Sequence, residues 1–334
     1  MTLKLFLYRG LCSFLYYSGG LEVIRWHNRR KARVITYHRV GPVDDFVFRA
    51  IENLCVPRPV FEKQLAYLKR RYAVVPMAEF LDTFGGSAAA KTAKRLPDHA
   101  AVLTFDDGMK DNHLNALPAL KEAGLPATFF VLSDATAGVL PDYIAYYFLL
   151  TQLGETKMGI KKRAFLALPK AERKRVLLEL AGKYNVAWPP GLCRSLFMGG
   201  PELKELQAAG YDLQPHSAGH AWLAAVPIEE MRLEISECKA ALERTLGNRC
   251  VCLAYPFGWK GSYNQAVADE LKAQGFQAAF TALDGLNDAH TNRFTLYRIN
   301  AVGNSLPEFA CEVENLRGSL GGILKAVLFW RRKR

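Results

Sequence analysis

The chain has 334 residues, half of them hydrophobic and 23 % charged, which suits one large α/β domain or two ordinary ones and excludes a disordered chain. Its 44 Lys and Arg against 32 Asp and Glu give a net charge of +12. That charge fits an anionic lipid surface or an acidic glycan, and with no RNP-type motif and no zinc-finger spacing nucleic acid is not an expected partner.

The N-terminal segment, residues 1–32, opens with an apolar-aromatic run from Leu3 to Tyr17 that Lys4 and Arg9 interrupt. It is shorter than the roughly 20 residues a spanning helix needs, and no A-x-A site follows it, so neither a transmembrane span nor a cleaved signal peptide is expected. The C-terminal segment, 305–334, mirrors it: Ile323 to Trp330 is apolar and Arg331, Arg332, Lys333 and Arg334 follow. Two readings stand side by side, a pair of segments for an anionic membrane surface and a pair of ordinary helices packed on the domain. The seven cysteines (Cys12, Cys55, Cys193, Cys238, Cys250, Cys252 and Cys311) are odd in number and irregular in spacing. They exclude a full disulfide framework and point to a reducing compartment. The expected location is the cytoplasm, with peripheral attachment to a bacterial inner membrane, and the periplasm stays open as an alternative.

Between them, 33–304 reads as one α/β domain. Arg33 to Tyr37 is a short β-branched strand ended by His38-Arg39-Val40-Gly41-Pro42. Phe61, Leu65 and Leu68 have helical spacing; Ala73 to Val75 reads as a strand, Met77 to Phe84 as a helix and Gly85 to Asp98 as a loop. Ala101 to Phe105 is a buried strand, Leu114 to Ala123 a helix that stops at Gly124, and Ala127 to Leu132 another strand. This alternation predicts a parallel sheet, open or closed into a barrel. Ser133 to Gly200 interrupts it with helical patterns over Tyr143 to Leu153 and Lys170 to Tyr184, an inserted helical cap. The alternation then resumes, with helices over Glu202 to Ala209, Glu229 to Leu246 and Gln265 to Gln274. Strands are expected over Tyr211 to Gln214, Cys250 to Tyr255, Ala278 to Thr281 and Phe294 to Ile299.

Three segments at the C-terminal ends of predicted strands could carry chemistry, because sites in parallel α/β folds assemble at that edge. In TFDDG, Thr104 to Gly108, adjacent Asp106 and Asp107 point in different directions, so one can bind a metal while the other accepts a proton; the same residues also suit a plain turn. In HSAGH, His216 and His220 stand four apart and can offer imidazole nitrogens to one ion, or be two ordinary histidines. In AYPFG, Pro256 sets the backbone so that the Phe257 N–H could face the site as an oxyanion donor, or the strand simply ends in a Pro-Gly turn.

Taken in this order, TFDDG, H-S-x-x-H and a strand ending in Pro-aromatic-Gly resemble the NodB-homology polysaccharide deacetylases, carbohydrate esterase family 4. VITYHRV, FEKQLAYL and FDDGMKDN are similar to a bacterial branch tied to exopolysaccharide and surface-glycan synthesis, and the likeness runs from about Val34 to Val302. The resemblance implies a distorted (β/α) barrel with a helical insertion. It implies a divalent metal, usually zinc, on Asp107, His216 and His220, with Asp106 as general base and the Phe257 N–H on the oxyanion. It implies an N-acetylated glycan or lipid-linked sugar as substrate.

Two departures from the family pattern bear on the supporting residues. Ala254 stands where an Arg usually orients the base, and the late Leu-x-His whose His protonates the leaving amine is missing. Arg298, in LYRI, could supply the charge from elsewhere, and His38 is the best-placed substitute for the acid; His290 lies in a polar loop and is expected to be solvated. The expected activity is metal-dependent removal of an N-acetyl group from an amino sugar. The alternatives are a deformylase or other amide hydrolase on a lipid-linked sugar and a catalytically degenerate glycan-binding protein.

Overall fold

The structure, a computed structural model, describes residues 3–42, 54–83, 95–302 and 305–316. The expectations for the C-terminal apolar run and basic cluster, and for most of the loop from Gly85, lie outside these residues.

Strand β1 (Arg33–Tyr37) is buried at all five positions, its β-branched Val34-Ile35-Thr36 suiting a strand covered on both faces. The principal sheet runs β10 (Ile299–Asn300), β1, β5 (Ala100–Phe105), β6 (Thr128–Val131) and β7 (Asp212–Pro215), with β4 (Ala73–Val74) against the start of β5. A second pair joins β8 (Cys252–Ala254) to β9 (Ala278–Phe280), and the short β2 (Arg39–Val40) pairs with β3 (Cys55–Val56). Each of these ladders is parallel.

The period of two along each strand sorts the side chains into two cores. Val34, Val102, Phe130, Cys252, Ala254, Ala278 and Phe280 meet one another inside the ring of strands. Ile35, Tyr37, Leu103, Phe105, Phe129 and Leu253 point outward, under the helices. The ring is a distorted barrel. Between β7 and β8 a side chain replaces the ladder: Gln214 Oε1 accepts from the N–H groups of Val251 at 2.9 Å and Cys252 at 3.2 Å. The predicted strand over Phe294 to Ile299 is not one. Arg293–Thr295 is a 3-10 turn and the backbone around Arg298 is irregular, bonded through the Arg298 N–H to the Leu283 carbonyl at 3.0 Å. Pairing in this stretch is confined to its ends: Leu296 bridges Phe280 of β9 in parallel, its N–H bonded to the Ala279 carbonyl at 3.0 Å, and Ile299 opens β10.

Outside the barrel lie α3 (Arg58–Arg71), α5 (Leu117–Ala123), α11 (Gly200–Ala208), α12 (Ile228–Leu246), α13 (Gln265–Ala273) and α14 (Leu306–Val313), whereas α4 (Met77–Asp82) packs Met77, Phe80 and Leu81 into the inner core. α5 stops at Gly124, whose φ of 67° is the left-handed turn a helix end favours in glycine. Five helices between β6 and α11 form the insertion: α6 (Ser133–Ala137), α7 (Asp142–Met158), α8 (Lys162–Leu166), α9 (Lys170–Lys183) and α10 (Leu192–Leu196). They share an apolar cluster of their own around Tyr146, Phe148, Phe165, Leu177 and Phe197. Arg173, buried, fastens them to α12 by reaching Asp142 at 2.9 Å and Glu230 at 3.1 Å.

The N-terminal α1 (Leu3–Ser18) and α2 (Gly20–His27) precede β1. α1 lies along α14, held by Arg9 to Glu308 at 2.9 Å. At the base of β1 the buried Arg33 meets Glu314 at 2.6 Å, and the Asn28 amide donates to the Glu314 carbonyl at 3.1 Å. These bonds tie both ends of the described chain to the first strand.

Candidate active site

The alternation that places Val102 and Thr104 inside the barrel carries one step past β5 and sends Asp106 inward as well. The next residues must then turn sharply. Asp107 and Gly108 both take the left-handed conformation, φ 71° each, and a Cβ on Gly108 would sit 3.0 Å from Val131. The same backbone signature marks the other two segments: Ser217 and His220 have φ of 71° and 64°, and Phe257 has 64°. Left-handed non-glycine residues are uncommon and costly, so their gathering at one barrel end marks a site held in place by its surroundings.

Those surroundings can be named. The Ser217 hydroxyl accepts the His220 N–H at 3.0 Å. Glu234 of α12, itself buried, accepts the Gly219 N–H at 2.8 Å, and its carbonyl takes the Ala218 N–H at 2.9 Å. Gly258, whose added Cβ would stand 2.3 Å from the Ala282 nitrogen, lets the third loop pass against the strand-end after β9.

The result is one cavity of about 250 Å³ lined by all seven residues singled out from the sequence: His38, Asp106, Asp107, His216, His220, Phe257 and Arg298. Asp107 Oδ1 lies 3.4 Å from Nε2 of His216 and 3.4 Å from Nε2 of His220. One ligand atom from each of the three fits within 4.8 Å of the others, and all three side chains are buried. Asp107 Oδ1 and His220 Nδ1 have no hydrogen-bond partner among the described residues. Buried polar atoms left unmatched are costly, and a cation among them would satisfy Asp107. The protonation states suit one. Burial pushes the His220 imidazole down to about 3, against the pull of Asp107, so it is neutral. The Asp107 carboxyl, although burial works to raise it, is held far below the usual range by the two histidines. His216 donates from Nδ1 to the Ala254 carbonyl at 2.8 Å, which turns Nε2 to the centre. The residues therefore fit a divalent metal of the zinc type, two imidazoles and one carboxylate with room left over.

Arg298 takes the place that Ala254 leaves open. Its two terminal nitrogens donate to the two Asp106 oxygens at 2.7 Å each, and Nε donates to the Thr281 carbonyl at 2.7 Å. Burial would raise the Asp106 carboxyl, but Arg298 and His216 outweigh it and hold the group ionised, below its ordinary value. His38 Nε2 stands 3.9 Å from Asp106 Oδ2, and burial holds its pKa down. Phe257 lines the cavity from a tight turn in which the Gly258 N–H bonds back to the Pro256 carbonyl at 2.8 Å, and its own N–H makes no hydrogen bond among the described residues. His290 is exposed and away from the cavity, as expected.

The insertion supplies what the sequence did not disclose. Tyr143, buried, packs its ring against His220, centres 4.4 Å apart and tilted by 35°, and its hydroxyl has no hydrogen-bond partner among the described residues. Tyr147 and Lys162 line the same cavity, with the Lys162 ammonium donating to the Tyr147 hydroxyl and lying 5.8 Å over the Phe257 ring. Trp259 completes the wall beside Phe257, ring centres 4.7 Å apart. The aromatic run in Tyr143 to Leu153 was a visible signal for a buried helix but not for which of its tyrosines reach the site.

The sequence profile of the family described as polysaccharide deacetylase matches residues 93–279. YxkH of Bacillus subtilis strain 168, assigned to the polysaccharide deacetylases, is 19 % identical over 296 residues, 88 % of this chain and 80 % of its own length. The poly-beta-1,6-N-acetyl-D-glucosamine N-deacetylase of Staphylococcus epidermidis is 27 % identical over 117 residues, 32 % of this chain and 38 % of that one. Among solved structures, the Streptococcus pyogenes deacetylase PplD in complex with acetate has the same fold. Its TM-score is 0.60 at 20 % identity, and the match covers 85 % of this chain and 98 % of that one.

Proposed function

This chain belongs to the polysaccharide deacetylase family of hydrolases, and we propose that it removes N-acetyl groups from an amino sugar, in a polymer or a lipid-linked glycan, with a divalent metal, zinc being the expected ion. The observation that carries this reading is the pairing of two adjacent carboxylates in one cavity. Asp107 faces two histidines, and Asp106 faces a guanidinium. A site that only bound glycan would have no use for the second, ionised carboxylate.

Asp107, His216 and His220 would hold the metal, which when bound polarises the amide carbonyl and makes water a better nucleophile. The chain's own residues divide the rest. Asp106 takes a proton from the attacking water as its oxygen bonds to the carbonyl carbon. The Phe257 N–H, fixed by its turn, donates to the oxygen that gains charge; such a donor is typically worth about 100- to 1,000-fold in rate. The sugar nitrogen takes a proton as the C–N bond breaks, leaving acetate and a free amine; Asp106 gives up the proton it took from water, and His38, whose Nε2 stands 3.9 Å from its Oδ2, relays it. Tyr143, Tyr147 and Trp259 give the sugar an apolar wall, and Lys162 offers it a cation.

Arg298 acts through Asp106, as a positioning residue. Arg298→Lys keeps the charge but replaces a planar two-pronged donor by a single point. Turnover is expected to fall about 10- to 100-fold with KM little changed. A rise in KM alone would mean that Arg298 touches the substrate and does not orient the base.

The direct experiment incubates the zinc-loaded protein with N-acetylglucosamine oligomers, β-1,6- and β-1,4-linked, and assays acetate and free amine together. Equal amounts of both support the reading. Formate release from an N-formyl substrate without acetate release would make the protein a deformylase. Retention of oligomers without turnover would make it a binding protein.

A further inference from the structure

Seven of the thirteen large apolar side chains that stand exposed among the described residues lie on α1 and α2. Phe6, Phe14, Tyr17, Val23 and Trp26 are each 60–77 % exposed, well beyond ordinary surface scatter. On α1 the spacing explains the concentration. Tyr8, Cys12, Leu15 and Tyr16 face the core, alongside α14 and α3. Phe6, Gly10, Phe14 and Tyr17, at helical spacing, form a stripe on the other side. A helix apolar on all sides should be covered on all sides, yet the protein covers only one.

We propose that this stripe, with the exposed end of α2, docks on an anionic lipid surface and holds the protein there without crossing the bilayer. No helix among the described residues is long and apolar enough to span a membrane. α1, with 16 residues, reaches about 24 Å. The charge around the stripe selects the occupant. Residues 1–32 carry Lys4, Arg9, Arg25, Arg29, Arg30 and Lys31 against the single acid Glu22. Arg30 and Lys31 are exposed at the end of α2, where the Arg29 guanidinium lies 4.2 Å over the Trp26 ring. Large aromatic side chains beside exposed cations are the pattern of an interfacial helix on acidic headgroups. Three of these cations pair with acids, Arg9 with Glu308, Arg25 with Glu22 and Arg29 with Asp98, so the exposed excess of positive charge is that of Arg30 and Lys31, which suits acidic headgroups and would repel a second copy of the chain.

The test sediments the full chain with vesicles of phosphatidylcholine alone and of phosphatidylcholine mixed with phosphatidylglycerol. Binding to the mixed vesicles is expected, weaker at high salt. The triple variant Phe6→Ser, Phe14→Ser, Trp26→Ser should lose at least about tenfold in partitioning, and Arg30→Glu with Lys31→Glu should lose the preference for phosphatidylglycerol. Melting curves of both variants confirm that they fold. No binding at low salt overturns the proposal. So does binding that survives the triple variant but vanishes when residues 317–334 are removed, which would place the attachment in that segment. A concentration-dependent dimer that the triple variant abolishes, with no vesicle binding, would assign the stripe to a second copy.

Discussion

Asp106→Asn is expected to lower turnover by about 1,000-fold, within the roughly 100- to 10,000-fold that general base catalysis supplies, while the bound metal per chain stays as in the wild type. The two adjacent carboxylates are the reason for the split. Asp107 carries the contacts to His216 and His220 at 3.4 Å, whereas the clasp on Asp106 comes from Arg298. Asn keeps the shape of Asp and cannot take the proton. It also leaves the buried Arg298 without its counter-charge, a change that can cost several kcal/mol of stability. Turnover is therefore expressed per mole of folded protein, with a urea titration beside the acetate assay. If folded Asp106→Asn keeps more than about a tenth of the wild-type rate, Asp106 is not the base. If it loses the metal as well, the division of labour between the two carboxylates fails.

How much of this was legible in the sequence follows from what each feature depends on. The strands β1, β5 and β6 and the helices α12 and α13 are written in local periodicity, and they lie within a residue or two of where the pattern puts them. The three site segments were legible because strand ends in a parallel barrel share one edge. Order along the chain therefore carries over to proximity in space. Arg298 was legible as a candidate only. Its neighbours Leu296 and Ile299 suggested a strand, but the backbone there is irregular, and that irregularity lets its guanidinium turn inward to Asp106 and the Thr281 carbonyl. Glu234 and Tyr143 were not legible. Each sits in an ordinary helical pattern, and its role comes from a contact with the His216 to His220 loop that no local spacing encodes. The N-terminal segment shows the same limit from the other side. The reading of a helix packed on the domain holds for one face of α1; the other face stays bare, and the membrane proposal starts from it.

Ala254 also turns out to be a smaller departure than its side chain suggests. The Arg that the family pattern places there would orient Asp106, and Arg298 reaches Asp106 from the irregular segment before β10. The Ala254 carbonyl still orients His216, through a bond that any residue at that position can make. The guanidinium therefore stands beside Asp106 although the sequence position differs.

Replacing His216 and His220 together by Ala is expected to bring bound zinc from about one ion per chain to near none and to abolish acetate release. Metal content alone could mislead, because the double variant also removes packing against Tyr143 and Phe257 and opens space beside a buried carboxylate. Thermal melting with and without zinc separates the two effects. A ligand bound only to the folded state stabilises it by about 2.7 kcal/mol at a free concentration a hundred times its dissociation constant. Zinc should therefore raise the melting temperature of the wild type and leave that of the folded double variant unmoved. A chelator should return the wild type to the unliganded melting temperature and to no turnover, both reversed by added zinc. Equal stabilisation of both proteins would place the ion elsewhere, and Asp107, with its unmatched Oδ1, would then need another explanation.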